Sequence, residues 1–398
     1  MNVRLSNARV EGEIKAIPSK SYAHRISICN FLAGQNPSAD CGEFSSKDIA
    51  ATEGCLNALI NGKNTLDCGE SGSTLRFLIP LVASIGGEYE LVGQGRLMDR
   101  PNEELFSVLQ KHGVSAVKTD KIRISGKLSW GEYQIRGDIS SQYITGLLMA
   151  LPLLEEDSKI VLSTPLYSAP YVDITLEVLQ KYGVKIDKTP YGFYVYGGQK
   201  FSGKIIPEGD WSNAAFFLVA ACAVGKSITV SGLNKNSVQG DRRIVDVLKA
   251  AGADISWQGD KLVVNKSSLN GFCFDANDCP DLVPIAAVLA AYANGKTVIK
   301  NIQRLKIKES DRVQTTIDML GAFNIKAESD GQDLTVYGGK VLGGKTNSYN
   351  DHRIAMSAAV LALGADGESE IIDAGAVAKS YPNFFEHYNR LGGKAYVL

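Results

Sequence analysis

One phrase recurs along this chain about every 70 residues, and it constrains the fold more than any other feature. It consists of an apolar helical run, a glycine or polar turn, and an alternating apolar strand. The copies are Leu81–Gly95 (LVASIGGEYELVGQG), Leu151–Pro165 (LPLLEEDSKIVLSTP), Leu218–Gly232 (LVAACAVGKSITVSG), Val288–Asn301 (VLAAYANGKTVIKN) and Val360–Gly375 (VLALGADGESEIIDAG). A second phrase falls between them, starting at Val108, Val178, Val247 and Met319. Each of those copies reads as a helix end, a Gly or Asn stop, a strand, a polar turn and another strand. One period therefore holds two helices and several strands. It is too long for a solenoid repeat. A chain of 398 residues has room for about six such units.

The helical runs tell where these units keep their core. Ala214–Val224 (AAFFLVAACAV) and Leu282–Ala293 (LVPIAAVLAAYA) carry no polar face, and a helix that is apolar all round is buried. No stretch approaches ~18 uninterrupted apolar residues, and the first residues lack the apolar segment of a secretion signal. No membrane span is expected, so these helices belong inside a protein core with sheets around them. The chain exceeds what one ordinary core serves, so two domains are expected. A net charge of −1 supplies no global field for nucleic acid or an anionic membrane. The seven cysteines, at 29, 41, 55, 68, 222, 273 and 279, contain no C-x-x-C pair. They read as reduced thiols in a cytoplasmic protein. Neither a Walker A sequence nor G-x-G-x-x-G is present, which leaves nucleotide sites without support.

Polar residues gather where each buried helix opens. The six clusters are Pro18–Ser21, Glu70–Arg76, Ser140–Gln142, Gly209–Asn213, Cys279–Asp281 and Asn350–Arg353. Each can cap a helix, and helix N-termini favour anions. Capping alone is the expected role of Asp210 and Ser212. Lys20, His352 and Arg353 are different, because a cation at a helix N-terminus opposes the macrodipole and calls for a compensating anion. Further cations lie in Arg96–Pro101, Leu305–Arg312 and Lys379–Pro382. Together they suit a substrate with several anionic groups, arginine as a planar fork and lysine as a movable charge.

These clusters, in this order, resemble the EPSP synthase family of enolpyruvyl transferases across nearly the whole chain. The resemblance is carried by PSKSYAHR (Pro18–Arg25), GSTLR (Gly72–Arg76), RLMDRP (Arg96–Pro101), SSQYITGLLMALPL (Ser140–Leu153) and SAPYVDITLEVL (Ser168–Leu179). It continues through GDWSNAAFFLVAA (Gly209–Ala221), LKIKESDRV (Leu305–Val313), NDHRIAMSAAV (Asn350–Val360) and KSYPNFF (Lys379–Phe385). It implies an α/β fold, the two-lobed inside-out α/β barrel, made of six repeated βαβαββ units with three per lobe. One lobe is then residues 19–208 and the other 1–18 plus 209–398, with crossings near 18–19 and 208–209. Closure of the lobes over substrate is part of the same expectation.

The resemblance also implies the chemistry. The enolpyruvyl group of phosphoenolpyruvate passes to the 5-hydroxyl of shikimate 3-phosphate by addition and elimination, a step of aromatic amino acid biosynthesis. Shikimate 3-phosphate is assigned to Lys20, Ser21, Arg25, Ser140, Ser141, Gln142, Ser168, Tyr171, Asp281 and Lys308. Phosphoenolpyruvate is assigned to Lys20, Gly72, Arg100, Gln142, Arg312, Arg353 and Lys379. Asp281 takes the hydroxyl proton, Glu309 handles the proton at C3, and Lys20 assists proton transfer. No cofactor or metal is expected, the partners are the two small substrates alone, and the chain is expected to be a monomer. His352 is open between a role in the site and a structural one. The chain departs from the family pattern at Pro18, where Gly is usual, at Glu70-Ser71, where Asn-Ala or Asn-Ser is usual, and at Arg304, which is left out of the site. Sensitivity to glyphosate stays open with Glu70 and Ser71.

Two other readings are weighed. UDP-N-acetylglucosamine enolpyruvyl transferase shares fold and donor but uses a loop cysteine as acid, and no cysteine lies between Cys68 and Cys222 here. A non-catalytic anion-binding relative has no need of Lys20, Asp281 and Glu309 together.

Overall fold

The structure, a computed structural model, describes residues 1–398. The chain forms two compact units, Lys20–Pro207 and the remainder, Met1–Ser19 with Glu208–Leu398.

The larger unit is built on three helices: Trp211–Ala223, Val283–Ala291 and His352–Ala362. Every residue in them is buried, as the all-round apolar runs in the first two require. The three pack on one another, and each also lies on the two central strands of its own sheet. All three sheets have one plan: a parallel pair extended by two antiparallel strands. In the first, Gly12–Lys15 runs parallel to Ser227–Ser231, followed by Lys261–Asn265 and Asp254–Gln258. In the second, Cys273–Asp275 and Lys296–Lys300 are the parallel pair, continued by Leu334–Tyr337 and Ala327–Ser329. In the third, Lys345–Asn347 and Ser369–Ile372 are continued by Val3–Ser6 and Lys394–Val397. A parallel pair needs a crossover, and the buried helix supplies it.

The first strands of the chain thus complete sheets whose other members come much later. Strand Val3–Ser6 sits between Ser369–Ile372 and Lys394–Val397. Strand Gly12–Lys15 waits for Ser227–Ser231, and the whole unit Lys20–Pro207 intervenes.

That inserted unit carries two sheets of the same plan. Thr65–Asp67 and Gly87–Val92 are parallel, with Ile122–Gly126 and Val114–Lys118 beyond. Glu132–Ile135 and Ser158–Leu162 are parallel, with Gly192–Val195 and Ile186–Thr189 beyond. The helices Gly72–Ile85 and Ser141–Ala150 pack tightly together. Pro80 lies inside the first and removes the amide that the Arg76 carbonyl would otherwise accept from. Gly146 fills that place: a Cβ there would come within 2.6 Å of the Arg76 oxygen and 3.0 Å of the Pro80 ring.

The twelve helices number two for each of six units, but the sheets number five where the repeat suggests six. The shortfall lies in the inserted unit, where the pair Lys20–Leu32 and Lys47–Ile60 is joined through the short turn Gly42–Phe44 with no strand. No helix is long and apolar enough to cross a membrane, and all seven cysteines are free thiols.

Candidate functional site

In the larger unit the polar clusters at two helix starts and one loop come together. Asp281 stands in the turn Pro280–Leu282 that opens helix Val283–Ala291. Lys308, Glu309 and Ser310 precede helix Arg312–Ala322, whose start Asp311 caps by accepting from the Val313 and Gln314 amides at 3.2 Å. Asp351 caps helix His352–Ala362 through the Arg353 amide at 2.9 Å.

Arg312 is the centre of this cluster and is almost wholly buried. Its Nη1 donates to Asp281 Oδ1 at 2.8 Å, its Nη2 to Glu309 Oε2 at 2.7 Å, and its Nε to Asp351 Oδ2 at 2.7 Å. Burial disfavours its charge, but Asp351, Glu309 and Asp281 outweigh that and hold its pKa well above the ordinary value. Arg353 Nη2 donates to Asp281 Oδ2 at 2.8 Å, and its Nη1 to Ser212 Oγ at 2.5 Å. Lys308 Nζ lies 3.5 Å from Asp281 Oδ1. Burial lowers the Lys308 pKa against the attraction of Asp281. The same burial would raise Asp281, yet Arg353, Lys308 and Arg312, helped by His352, hold its carboxyl well below the usual range. Lys379 is buried and donates to the Asn350 carbonyl at 2.6 Å.

The structure therefore gathers Asp281, Lys308, Glu309, Arg312 and Arg353 in one place, with His352 beside Asp281 and Lys379 held at Asn350. Asp210 caps its helix, accepting from the Asn213 amide at 2.7 Å. Ser212 is not only a cap residue, since it holds Arg353. Carboxylates of the chain itself lie against the helix-start cation Arg353 and against Arg312.

The inserted unit brings together a second set. Lys20 begins helix Lys20–Leu32 and pairs with Asp48 at 2.7 Å. Arg25, one turn further, is buried, which lowers its pKa to about 10. It donates to the Ser21 carbonyl at 2.6 Å, the Tyr171 carbonyl at 2.8 Å and Thr175 Oγ1 at 2.8 Å. This guanidinium ties Ser21 and Tyr171 together through their backbone, which makes it a brace. Gln142 accepts from Arg76 Nη1 at 2.7 Å and donates to Ser73 Oγ at 2.9 Å. Ser140 caps the helix that carries Ser141 and Gln142. Ser168 is buried with φ +55°, a left-handed conformation rare outside glycine. At Gly72 a Cβ would fall 2.3 Å from Arg100 Nη1, so the missing side chain leaves room for that guanidinium.

Sequence reasoning did not single out four groups that hold these sets together: Asp48, Arg76, Asp351 and Asp241. Arg76 and Asp351 lie inside strings already quoted, GSTLR and NDHR, so their signal was present. Asp48 pairs with Lys20 across 28 positions, and nothing local marks it. Asp241 is buried beside Asp281, and burial followed by repulsion from Asp281 pushes its pKa up to about 7 against Arg353.

Comparison with known proteins places this geometry. The profile of the family EPSP synthase (3-phosphoshikimate 1-carboxyvinyltransferase) matches residues 39–388. The chain is 38% identical to the 3-phosphoshikimate 1-carboxyvinyltransferase of Clostridium kluyveri, over 98% of this chain and 97% of that one. It is also 38% identical to the enzyme of that name from Methanocaldococcus jannaschii, over 98% and 97% of the two chains. Among solved structures, EPSP synthase from Acinetobacter baumannii superposes with a TM-score of 0.80 at 23% identity, covering all of both chains. The enolpyruvyl transferase NikO from Streptomyces tendae superposes with a TM-score of 0.76 at 16% identity, over 99% and 98%. These two show a shared mixed α/β fold, and the family profile with the full-length relatives shows more: the chain belongs to the EPSP synthase family.

Proposed function

We infer that this chain is a 3-phosphoshikimate 1-carboxyvinyltransferase, moving the enolpyruvyl group of phosphoenolpyruvate to the 5-hydroxyl of shikimate 3-phosphate with release of phosphate. The observation that carries the reading is the buried cluster in which Asp281 and Glu309 share Arg312 while Arg353 and Lys308 flank Asp281. It offers cations for carboxylate and phosphate and two carboxylates for proton transfer, which is what addition followed by elimination requires.

The ion pairs suggest how the cluster is switched into use. Arg353, Lys308 and Arg312 hold Asp281 strongly ionised, which makes it a poor base. Anionic groups arriving on Arg312, Arg353 and Lys308 compete for those cations, so the Asp281 pKa rises toward a range where it can take a hydroxyl proton. Glu309, released in part from Arg312, handles the proton at C3. Lys20 neutralises phosphate and assists proton transfer. Phosphoenolpyruvate is assigned to Lys20, Gly72, Arg100, Gln142, Arg312, Arg353 and Lys379. Shikimate 3-phosphate is assigned to Lys20, Ser21, Ser140, Ser141, Gln142, Ser168, Tyr171, Asp281 and Lys308, with Arg25 bracing that set. The fold reading that accompanies this is two lobes of βαβαββ units, with the chain crossing between them near 18–19 and 208–209; the common plan of the sheets supports the repeated unit.

Phosphate release from phosphoenolpyruvate tests the reading, with shikimate 3-phosphate and UDP-N-acetylglucosamine as separate acceptors. Release with shikimate 3-phosphate alone is expected. Release only with the sugar nucleotide, or with neither, overturns it.

A further inference from the structure

Inside the inserted unit one buried histidine has no part in the chemistry above. His24 lies one turn after Lys20, with its ring edge-on to Phe77. Its Nδ1 is 2.7 Å from Thr52 Oγ1, which is 2.6 Å from Thr74 Oγ1, which is 2.7 Å from Ser71 Oγ. All four residues are buried. Ser71 also accepts from the Thr74 amide at 3.2 Å and caps the helix that opens on Gly72.

Each hydroxyl has one proton to give. Thr52 and Thr74 can also reach the Asp48 carbonyl, at 3.3 and 3.4 Å, but their mutual and Ser71 contacts are shorter. The chain therefore has a direction. His24 Nε2 has no partner, and a stranded buried N–H is rarer than a stranded acceptor. The direction that strands no N–H starts at His24 Nδ1–H and ends at Ser71. Burial, then Lys20 and Arg25, keeps the ring neutral, as this direction requires. Asp48 closes the loop, because its carboxylate holds Lys20 at 2.7 Å.

An interior that only had to be filled would take valine at 52 and 74 without burying two hydroxyls. A fully connected polar chain instead rigidifies what it joins. Here it joins three helix starts: the one bearing Lys20, the one bearing Asp48, and the one opening on Gly72. We propose that the His24–Thr52–Thr74–Ser71 chain is a positioning device that sets the distance between Lys20 and Gly72, and so shapes the phosphoenolpyruvate subsite in preference to that for shikimate 3-phosphate. The preference follows from the assignments: Gly72 at one end serves phosphoenolpyruvate alone, Lys20 at the other serves both substrates, and Ser140, Ser141, Ser168 and Tyr171 lie outside the chain. The ligand identity rests on the functional reading above.

The test is steady-state kinetics on the full chain with Thr52→Val, Thr74→Val and Thr74→Ser. The valine variants should raise KM for phosphoenolpyruvate about tenfold or more, since small misplacements of positioning groups are costly. KM for shikimate 3-phosphate, which shares Lys20 but not Gly72, should rise clearly less, and Thr74→Ser should restore the unmodified value. Nitrogen chemical shifts should show His24 as the Nδ1–H tautomer, altered in Thr52→Val. An unchanged KM for phosphoenolpyruvate overturns the proposal. So does an equal rise for both substrates with a matching fall in melting temperature, which marks a merely structural role, and so does an Nε2–H tautomer. If the unmodified protein releases no phosphate with shikimate 3-phosphate, the functional reading itself fails, a result the other outcomes do not mimic.

Discussion

Glu309 stands three positions before Arg312 and gives it one oxygen at 2.7 Å, an arrangement that glutamine can largely imitate. Glu309→Gln should therefore leave shikimate 3-phosphate binding nearly intact by calorimetry while turnover falls ~10²–10⁴-fold, the usual worth of a general acid or base. Lost binding would refute the proton-transfer role. Asp241 supplies a pH test on the free protein. Its folded pKa, about 7, is raised above the ordinary 3.8. A raised carboxyl contributes stability at low pH that is lost as pH rises through the folded value. Asp241→Asn has no such loss, so the melting temperature of the variant relative to the unmodified protein should be higher at pH 8 than at pH 5. Parallel curves would count against the raised value. At this scale the sequence was readable wherever a residue sits at a helix start. Asp281 and Arg353 lie in clusters read as helix openings, and capping patterns mark such places; Glu309 and Arg312 were marked instead by the run of cations Leu305–Arg312. Asp241 and Asp48 owe their importance to neighbours distant in the chain, which no local pattern encodes.

The helix pair Gly72–Ile85 and Ser141–Ala150 meets where Pro80 has removed an amide and Gly146 has removed a side chain. Gly146→Ala places a methyl 2.6 Å from the Arg76 carbonyl, and backbone yields less readily than a side chain. The expected cost is about 1–3 kcal/mol in chemical denaturation. Phosphoenolpyruvate binding should weaken as well, because Arg76 holds Gln142. A neutral variant would mean the helices can slide apart. The elements themselves were largely legible. The first repeated phrase occurs five times, and each copy ends in the second strand of one of the five sheets. The expectation of a sixth sheet came from chain length and from the family resemblance, not from a sixth copy of the phrase. Residues 20–60 contain no copy of the phrase, and there the structure forms only helices and a turn. The second phrase has four copies because the last sheet takes its remaining strand, Val3–Ser6, from the other end of the chain.

For the molecule as a whole, those first strands are structural keystones. Removing Met1–Ser6 leaves Ser369–Ile372 and Lys394–Val397 without the strand between them, exposing two unpaired edges. The truncated chain should lose cooperative unfolding of the larger unit in a circular dichroism melt, while the unit Lys20–Pro207 keeps its own transition. Retention of the full transition would show that the third sheet closes without its N-terminal strand. This pairing was invisible in the sequence, since alternation identifies a strand but not a partner hundreds of residues away. The insertion also dictates an order of events during synthesis. Strand Gly12–Lys15 leaves the ribosome early, but its parallel partner ends at Ser231. At ~5–20 residues per second it waits roughly 10–40 s. The intervening unit Lys20–Pro207 is complete before that partner appears, so a nascent chain stalled just beyond it holds one finished body and two orphaned strands, the state in which a chaperone would meet it.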